Sequence, residues 1–169
     1  MKKITGGSSN TGGAKSVGGE VTVTLRPLDG LNVVVNGAIT DSELTTDTDP
    51  LLVGGLDGDK LPFTPKHSFS ISGDYERPLT NDITGYAGGT FRYQSSQFSN
   101  FSPDGRSEFP SYGVLDLRSG LVFERFSVEL FARNVTNERG LTSGGNPSTN
   151  LPPGVVTAGV IRPRTIGVT

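Results

Sequence analysis

Apolar and polar residues alternate along several segments of the chain. In the clearest segment, Phe69, Ile71 and Tyr75 alternate with Ser68, Ser70, Ser72, Asp74 and Glu76. Because successive side chains of a strand point to opposite faces, this period predicts a strand with one apolar and one polar face. The same pattern predicts strands over 20–26, 31–40, 68–76, 83–94, 115–123, 126–133 and 155–169. The predicted fold class is all-β, an antiparallel up-and-down meander of about seven strands.

The connections between these segments are of two kinds, which alternate along the chain. Three are minimal turns, at 27–30, 79–82 and 124–125. Three are long loops rich in Gly, Pro, Ser and Asn, at 41–64, 97–110 and 138–153. Outer-membrane β-barrels have this layout, with short periplasmic turns and longer extracellular loops. The alternative interpretation is a soluble antiparallel sheet with one solvent-facing surface.

Five charged residues inside the predicted strands fall on the polar face. They are Arg92, Asp116, Arg118, Glu129 and Arg133. In a membrane barrel the polar face lines a wet lumen and the apolar face meets lipid. We therefore predict that these charges share a concave face and that the apolar positions share a convex one. The predicted convex set is Phe69, Ile71, Tyr75, Phe91, Tyr93, Leu115 and Leu117.

Composition narrows the functional classes. The 169 residues suit one domain, and 24 Gly with 11 Pro favour short strands over helices. The net charge of -2 gives no electrostatic footprint for nucleic acid, so no nucleic-acid partner is predicted. With no Cys, the chain has no disulfide, no thiolate metal site and no cysteine nucleophile. It also contains no nucleophile elbow, so no catalytic residue is predicted and an enzyme is not expected.

One cluster of acidic residues and one histidine are candidate metal ligands. Asp47, Asp49, Asp57 and Asp59 offer oxygen ligands but lack the remaining positions of an EF-hand loop. His67 is the only histidine and is expected at the membrane-interface end of the third strand. We predict no metal site and no cofactor. The aromatic residues Phe98, Phe101, Phe109 and Tyr112 cluster around a loop, where they form either an interfacial belt, the favoured interpretation, or a ligand contact.

Several segments resemble a known family in sequence order. They are Leu25-Arg26-Pro27-Leu28-Asp29-Gly30-Leu31, Gly58 to His67, Tyr112 to Gly120, Phe131 to Arg139 and Arg162 to Val168. Together they resemble the C-terminal β-barrel of TonB-dependent receptors over nearly the whole chain. The resemblance implies part of a bacterial outer-membrane active transporter that imports a scarce nutrient such as a siderophore–iron complex, vitamin B12 or a sugar. It also implies three partners, which are outer-membrane lipid, the remaining barrel strands and an N-terminal plug. The TonB complex would act only through that plug.

The resemblance further implies roles for five residues. Arg92, Arg118 and Arg133 would line the lumen or brace the plug, and the loops carrying Phe98 and Phe101 would close over the ligand. No segment resembles a plug, and the chain reaches Thr169 without the family's terminal aromatic residue. We therefore expect residues 1–169 to form one partial barrel, an open curved sheet with a flexible stretch at 1–13. A soluble β-domain that binds glycans or proteins through its long loops is the alternative.

Overall fold

The computed structural model describes residues 12–50, 53–101, 106–145 and 157–169, and every regular element in these ranges is a β-strand. The strands are β1 (Ala14–Leu28), β2 (Leu31–Leu44), β3 (His67–Pro78), β4 (Ile83–Gln94), β5 (Gln97–Phe98), β6 (Glu108–Phe109), β7 (Tyr112–Phe123), β8 (Ser127–Arg133), β9 (Leu141–Gly145), β10 (Thr157–Val160) and β11 (Thr165–Val168). Seven of them form one antiparallel sheet in the order β1-β2-β3-β4-β7-β8-β11. Two small sheets pair β5 with β6 and β9 with β10. The predicted all-β meander is confirmed.

Within the described ranges, no helix is long and apolar enough to cross a membrane.

The short turns fall where the sequence predicts them. Gly30 has a φ of 82°, and a Cβ atom there would collide with the carbonyl oxygen of Glu76. Only glycine meets both conditions without strain. In the turn between β7 and β8, the Phe123 and Phe126 rings stack with centroids 4.5 Å apart. Each turn therefore brings consecutive strands into register at one end of the sheet.

The register confirms the predicted apolar face. Phe69 lies opposite Tyr93, and Phe91 lies opposite both Ile71 and Leu115. Residues directly opposite on antiparallel neighbours project from the same face of the sheet. The apolar positions of β3, β4 and β7 therefore form one continuous surface.

The charged positions share the other face, as predicted. Thr90 lies opposite Asp116, so Arg92 and Asp116 project from the same side of β4 and β7. Arg118 lies opposite Phe131, which places Arg133 on that side of β8.

The polar face is the concave one. It encloses a trough of about 700 Å³, whose wall includes Thr22 on β1 and Thr165 on β11. The sheet thus curls until residues of its two edge strands line one space. In the part of the chain that the structure describes, β1 and β11 do not pair with each other, so the sheet remains open.

Among the described residues, the buried hydrophobic side chains lie at the loop end of the sheet. The buried hydrophobic residues in the described ranges are Leu44 and Phe109, 6% and 2% exposed. On the convex face, by contrast, Val21 is 57% exposed and Ile166 is 73% exposed. The main sheet therefore has no hydrophobic core of its own on either side.

Two strands extend further than the apolar pattern predicts. The first begins at Ala14 rather than near residue 20, and the second continues to Leu44 rather than ending near residue 40. The additional pairs include Lys15 opposite Glu43. The added positions mix polar residues with Gly18, Gly19 and the exposed Val17, so backbone pairing continues beyond the point where apolar alternation ends.

The prediction of a single strand over 155–169 is wrong. Among its described residues, β10 pairs with β9, whereas β11 pairs with β8 in the main sheet. Pro163, which lies between them, has no N–H to donate to a ladder. The stretch 1–13 is predicted to be flexible, and its first 11 residues lie outside the described residues. Gly13 donates its N–H to Thr46 Oγ1 at 2.8 Å.

Candidate functional site

A chain of polar contacts crosses the concave face near its loop end. Arg92 Nη2 lies 2.5 Å from Asp116 Oδ2. The other carboxylate oxygen of Asp116 accepts a hydrogen bond from the backbone N–H of Asn134 at 2.8 Å. Both oxygens of this carboxylate are therefore used, one by a side chain of β4 and one by the residue that follows β8.

Asn134 extends this chain of contacts to the segment before β11. Its side chain is buried, and its amide nitrogen donates to the carbonyl oxygens of Glu138 at 2.9 Å and of Arg162 at 2.8 Å. Its amide oxygen accepts the backbone N–H of Glu138 at 2.8 Å. The backbone has a φ of 49°, a conformation that asparagine adopts more readily than most residues. The sequence places Asn134 in a family-like segment but assigns it no role, because its contacts with Asp116 and Arg162 join segments 18 and 28 residues away.

Arg133 and Arg92 line the same trough as Asp116. The Arg133 guanidinium lies 5.0 Å from the centroid of the Phe131 ring, within the range of a cation–π contact. Arg162 and Glu20 also line the trough, so three cationic and two acidic side chains line it.

Arg118 belongs to a separate polar cluster nearer the short turns. Its Nη2 lies 2.7 Å from Asp74 Oδ1, and its guanidinium lies 5.9 Å from the centroid of the Tyr86 ring. The Tyr86 hydroxyl donates to Glu129 Oε2 at 2.7 Å. Arg118 does not line the trough. The structure therefore brings together two of the three predicted arginines, Arg92 and Arg133, and places the third deeper.

The aromatic residues of the long loops pack against one another above the sheet. The backbone N–H of Phe63 donates to the carbonyl of Phe98 at 2.9 Å, and the Phe63 and Phe109 rings lie 5.8 Å apart. The Arg106 guanidinium lies 3.4 Å from the centroid of the Phe98 ring. Phe101 packs so closely that a Cβ atom on Gly55 would lie 2.8 Å from its ring. We call this packed region, built from the described residues of 44–66 and 95–111, the loop layer.

The loop layer corrects the interfacial-belt interpretation for two aromatic residues. Phe109 is 2% exposed within the loop layer, so its ring is not available to a lipid interface. Tyr112 lines the concave trough and packs against the backbone of Gly140. Phe109 is buried because the loops fold back over the sheet, whereas Tyr112 turns to the lumen side because it shares the strand parity of Asp116 on β7.

An ion-pair cluster attaches the first long loop to the end of β2. Lys60 Nζ lies 2.6 Å from Asp41 Oδ1 and 3.1 Å from Glu43 Oε2. These residues lie beyond Ile39, the last apolar residue of the convex face on β2. The hydrogen bond from Lys60 lowers the pKa of Asp41, and hydrogen bonds to both carboxylates raise the pKa of Lys60.

The acidic residues of the first long loop organise its backbone. Asp47 Oδ1 accepts the N–H of Asp57 at 2.8 Å, and Asp59 Oδ2 accepts the N–H of Leu56 at 2.8 Å. Over the residues described, no three His, Asp or Glu side chains converge as a metal site would require. His67 lies at the first position of β3, where its N–H donates to Ser95 Oγ at 3.0 Å.

Comparison with known proteins identifies the family. Residues 4–137 match the family model described as TonB dependent receptor-like, beta-barrel. The fold is similar to the ferric yersiniabactin uptake receptor FyuA of Yersinia pestis, with a TM-score of 0.76 and 22% identity over 94% of this chain and 23% of that one. It is also similar to BauA, the ferric preacinetobactin receptor of Acinetobacter baumannii, with a TM-score of 0.69 and 19% identity over 95% of this chain and 22% of that one.

The chain therefore spans less than a quarter of the length of these solved receptors. The matched proteins are named as receptors, not enzymes. The matching family is one of bacterial outer-membrane proteins. The seven-stranded antiparallel sheet has the architecture of a barrel wall. Because the family model covers most of the chain, the chain belongs to the TonB-dependent receptors.

Proposed function

We propose that this chain forms part of the barrel wall of a receptor that imports ferric siderophores across the outer membrane. The observation that carries this proposal is the two-faced sheet, with an exposed apolar surface outside and a charged concave surface inside. Membrane barrels place an apolar band against lipid and polar residues towards the lumen. The names of the similar solved receptors, which refer to ferric yersiniabactin and ferric preacinetobactin, support an iron–siderophore cargo.

The convex face argues against the soluble alternative. Leu25, Leu130 and Val168 are 51%, 57% and 66% exposed. Full burial of a side chain of this size contributes about 1.5–3 kcal/mol, and a soluble domain would forgo much of this at many positions. Lipid supplies that apolar environment. A soluble domain that binds glycans or proteins through its loops is therefore the weaker hypothesis.

The trough supplies groups that suit an anionic cargo. Arg92 and Arg133 face it near the loop end, and the oxygen ligands with which siderophores hold iron are commonly anionic. Phe98 and Phe101, in the loop layer above, would cover a cargo entering from outside. Arg118, which lies deeper, would brace the plug. The plug, the remaining barrel strands and the TonB complex that acts through the plug are the partners that this function requires.

Uptake measurements test the proposal. The parent strain and a mutant lacking the gene are grown without iron, and import of radiolabelled iron is followed with a panel of catecholate, hydroxamate and carboxylate siderophores. We expect the mutant to lose import of one siderophore class, and we expect the same loss when TonB is deleted. In the complete receptor, Arg92→Gln should weaken uptake, whereas Arg125→Gln, in a short turn, should leave it unchanged.

Loss of vitamin B12 or sugar import in place of siderophore import would refute the proposed cargo. Uptake that persists without TonB would refute the transport mechanism.

A further inference from the structure

A groove lies on the convex apolar face, towards the short turns. It has a volume of about 470 Å³, within the range of small-molecule sites. Its floor is formed by the small residues Gly85 and Ala87 on β4 and Ser119 on β7. Larger side chains on the neighbouring strands form its walls: Tyr75, Leu121, Val128 and Leu130.

The groove is independent of the sheet edges. It spans β3, β4, β7 and β8, each of which has a strand paired on both sides. Ala87 lies directly opposite Tyr75 on one side and Ser119 on the other, so all three belong to the convex face. Adding strands at β1 or β11 to complete a barrel would leave this surface unchanged.

The cationic side chain of Arg77 lies at the end of the groove nearest the short turns. Arg77 lies opposite Gly85 and shares the convex parity of Tyr75. Its side chain is exposed, and within the described ranges its guanidinium forms no ion pair or hydrogen bond. A charge on a lipid-facing surface is costly unless it reaches the membrane interface. Arg77 lies two residues before Leu79, where β3 has ended and the turn begins, so it is placed at that interface.

We propose that the groove binds an acyl chain of a diacyl phospholipid in the periplasmic leaflet, with the lipid phosphate held by Arg77. The family places the convex face in the outer membrane, and short turns mark the periplasmic end of such barrels. The apolar walls suit a hydrocarbon chain. The guanidinium matches a phosphate in charge and in its paired N–H donors. The site is separate from the lumen and does not depend on which cargo the receptor carries.

Lipid titration of the complete receptor tests this site. The receptor is purified in a mild detergent, and the affinity for dioleoylphosphatidylglycerol is measured by native mass spectrometry. Arg77→Gln should weaken binding of the tightest lipid about 5-fold, the effect of one cation near a membrane surface. Ser119→Leu, which fills the floor, should abolish that tight site. Arg125→Gln is the control for the charge, because Arg125 is a cation in a short turn outside the groove. Ala132→Leu is the control for the added bulk, because Ala132 is a small residue of the convex face outside the groove. Both variants should bind the lipid as wild type does.

Competition distinguishes the phospholipid from its parts. Soluble glycerol phosphate, which has the head but no chains, should not displace the lipid, and dioleoylglycerol, which has the chains but no phosphate, should bind no better to wild type than to Arg77→Gln. Equal affinity of wild type and Arg77→Gln for the phospholipid would overturn the proposal, as would equal losses in the two controls. If Ser119→Leu does not fold, as judged by unboiled gel mobility, Arg77→Gln decides, because its side chain makes no contact that folding requires.

Discussion

The buried side chain of Asn134 connects the loop after β8 to the segment before β11. Asn134→Ala would remove the side-chain partner of two carbonyl groups and one N–H, at Glu138 and Arg162. It would also place alanine at a φ of 49°. Hydrogen bonds of this kind contribute about 0.5–1.5 kcal/mol each, and the left-handed backbone costs alanine about 1 kcal/mol more. We expect a loss of about 2.5–5.5 kcal/mol in the free energy of unfolding, measured by urea denaturation of the folded receptor in detergent.

Asn36→Ala is the control for this substitution. Asn36 also lies on the concave face, but its partners are the side chains of Thr22 and Ser70, at 2.9 Å and 3.3 Å. Because these hydroxyls can turn to water in the lumen, we expect a loss below about 1 kcal/mol. Similar losses for the two variants would contradict the connecting role of Asn134.

The sequence predicted the face of each lumen charge but not its partner. Alternation alone places Arg92 and Arg118 on the polar side, because it depends only on the parity of a residue within its own strand. Their carboxylate partners, Asp116 and Asp74, are 24 and 44 residues away in sequence. Those pairs depend on the register between strands, which the turns set and which parity does not reveal.

At the scale of the strand pair, Gly30 fixes the turn that joins β1 to β2. Gly30→Ala would combine an unfavourable φ of 82° with a collision against the Glu76 carbonyl. Gly58 provides a close control, since its φ is 86° and a Cβ atom there would meet nothing within 4 Å. We expect Gly58→Ala to cost about 1 kcal/mol, the conformational term alone, and Gly30→Ala to cost clearly more.

Urea denaturation of both variants measures this difference. Equal shifts in the unfolding midpoint would show that the contact with Glu76 has no role in holding β3 against the turn.

The same scale shows where element prediction succeeded and where it did not. The short turns and the central strands were predicted because apolar residues and turn residues alternate there on a regular period. The start of β1 and the end of β2 were not predicted, because polar residues such as Lys15 and Glu43 interrupt the apolar alternation there. The division of the final segment follows from Pro163 and from the Asn134 contact to Arg162, and only the proline is visible in sequence.

At the scale of the whole molecule, the sheet has its apolar surface outside and its charges inside, the reverse of a soluble domain. In the proposed function, lipid covers the convex face, and water or a polar partner covers the concave face. The loop layer is the one region among the described residues where hydrophobic side chains are buried by protein, and it lies beyond the apolar band. This arrangement could be predicted from strand parity. The packing of Phe98, Phe101 and Phe109 could not, because it arises from contacts between two loops that have no periodic pattern.

The central claim is that consecutive residues of one strand face lipid and water in turn, and site-directed spin labelling tests it most directly. The chain has no cysteine, and any cysteine elsewhere in the complete receptor is replaced by serine, so that single cysteines at Thr90, Phe91, Arg92 and Tyr93 each give one label. In the complete receptor in lipid bilayers, labels at 91 and 93 should be relaxed mainly by oxygen, which concentrates in lipid. Labels at 90 and 92 should be relaxed mainly by a water-soluble nickel chelate. Uniform access of the nickel chelate to all four positions would contradict the account.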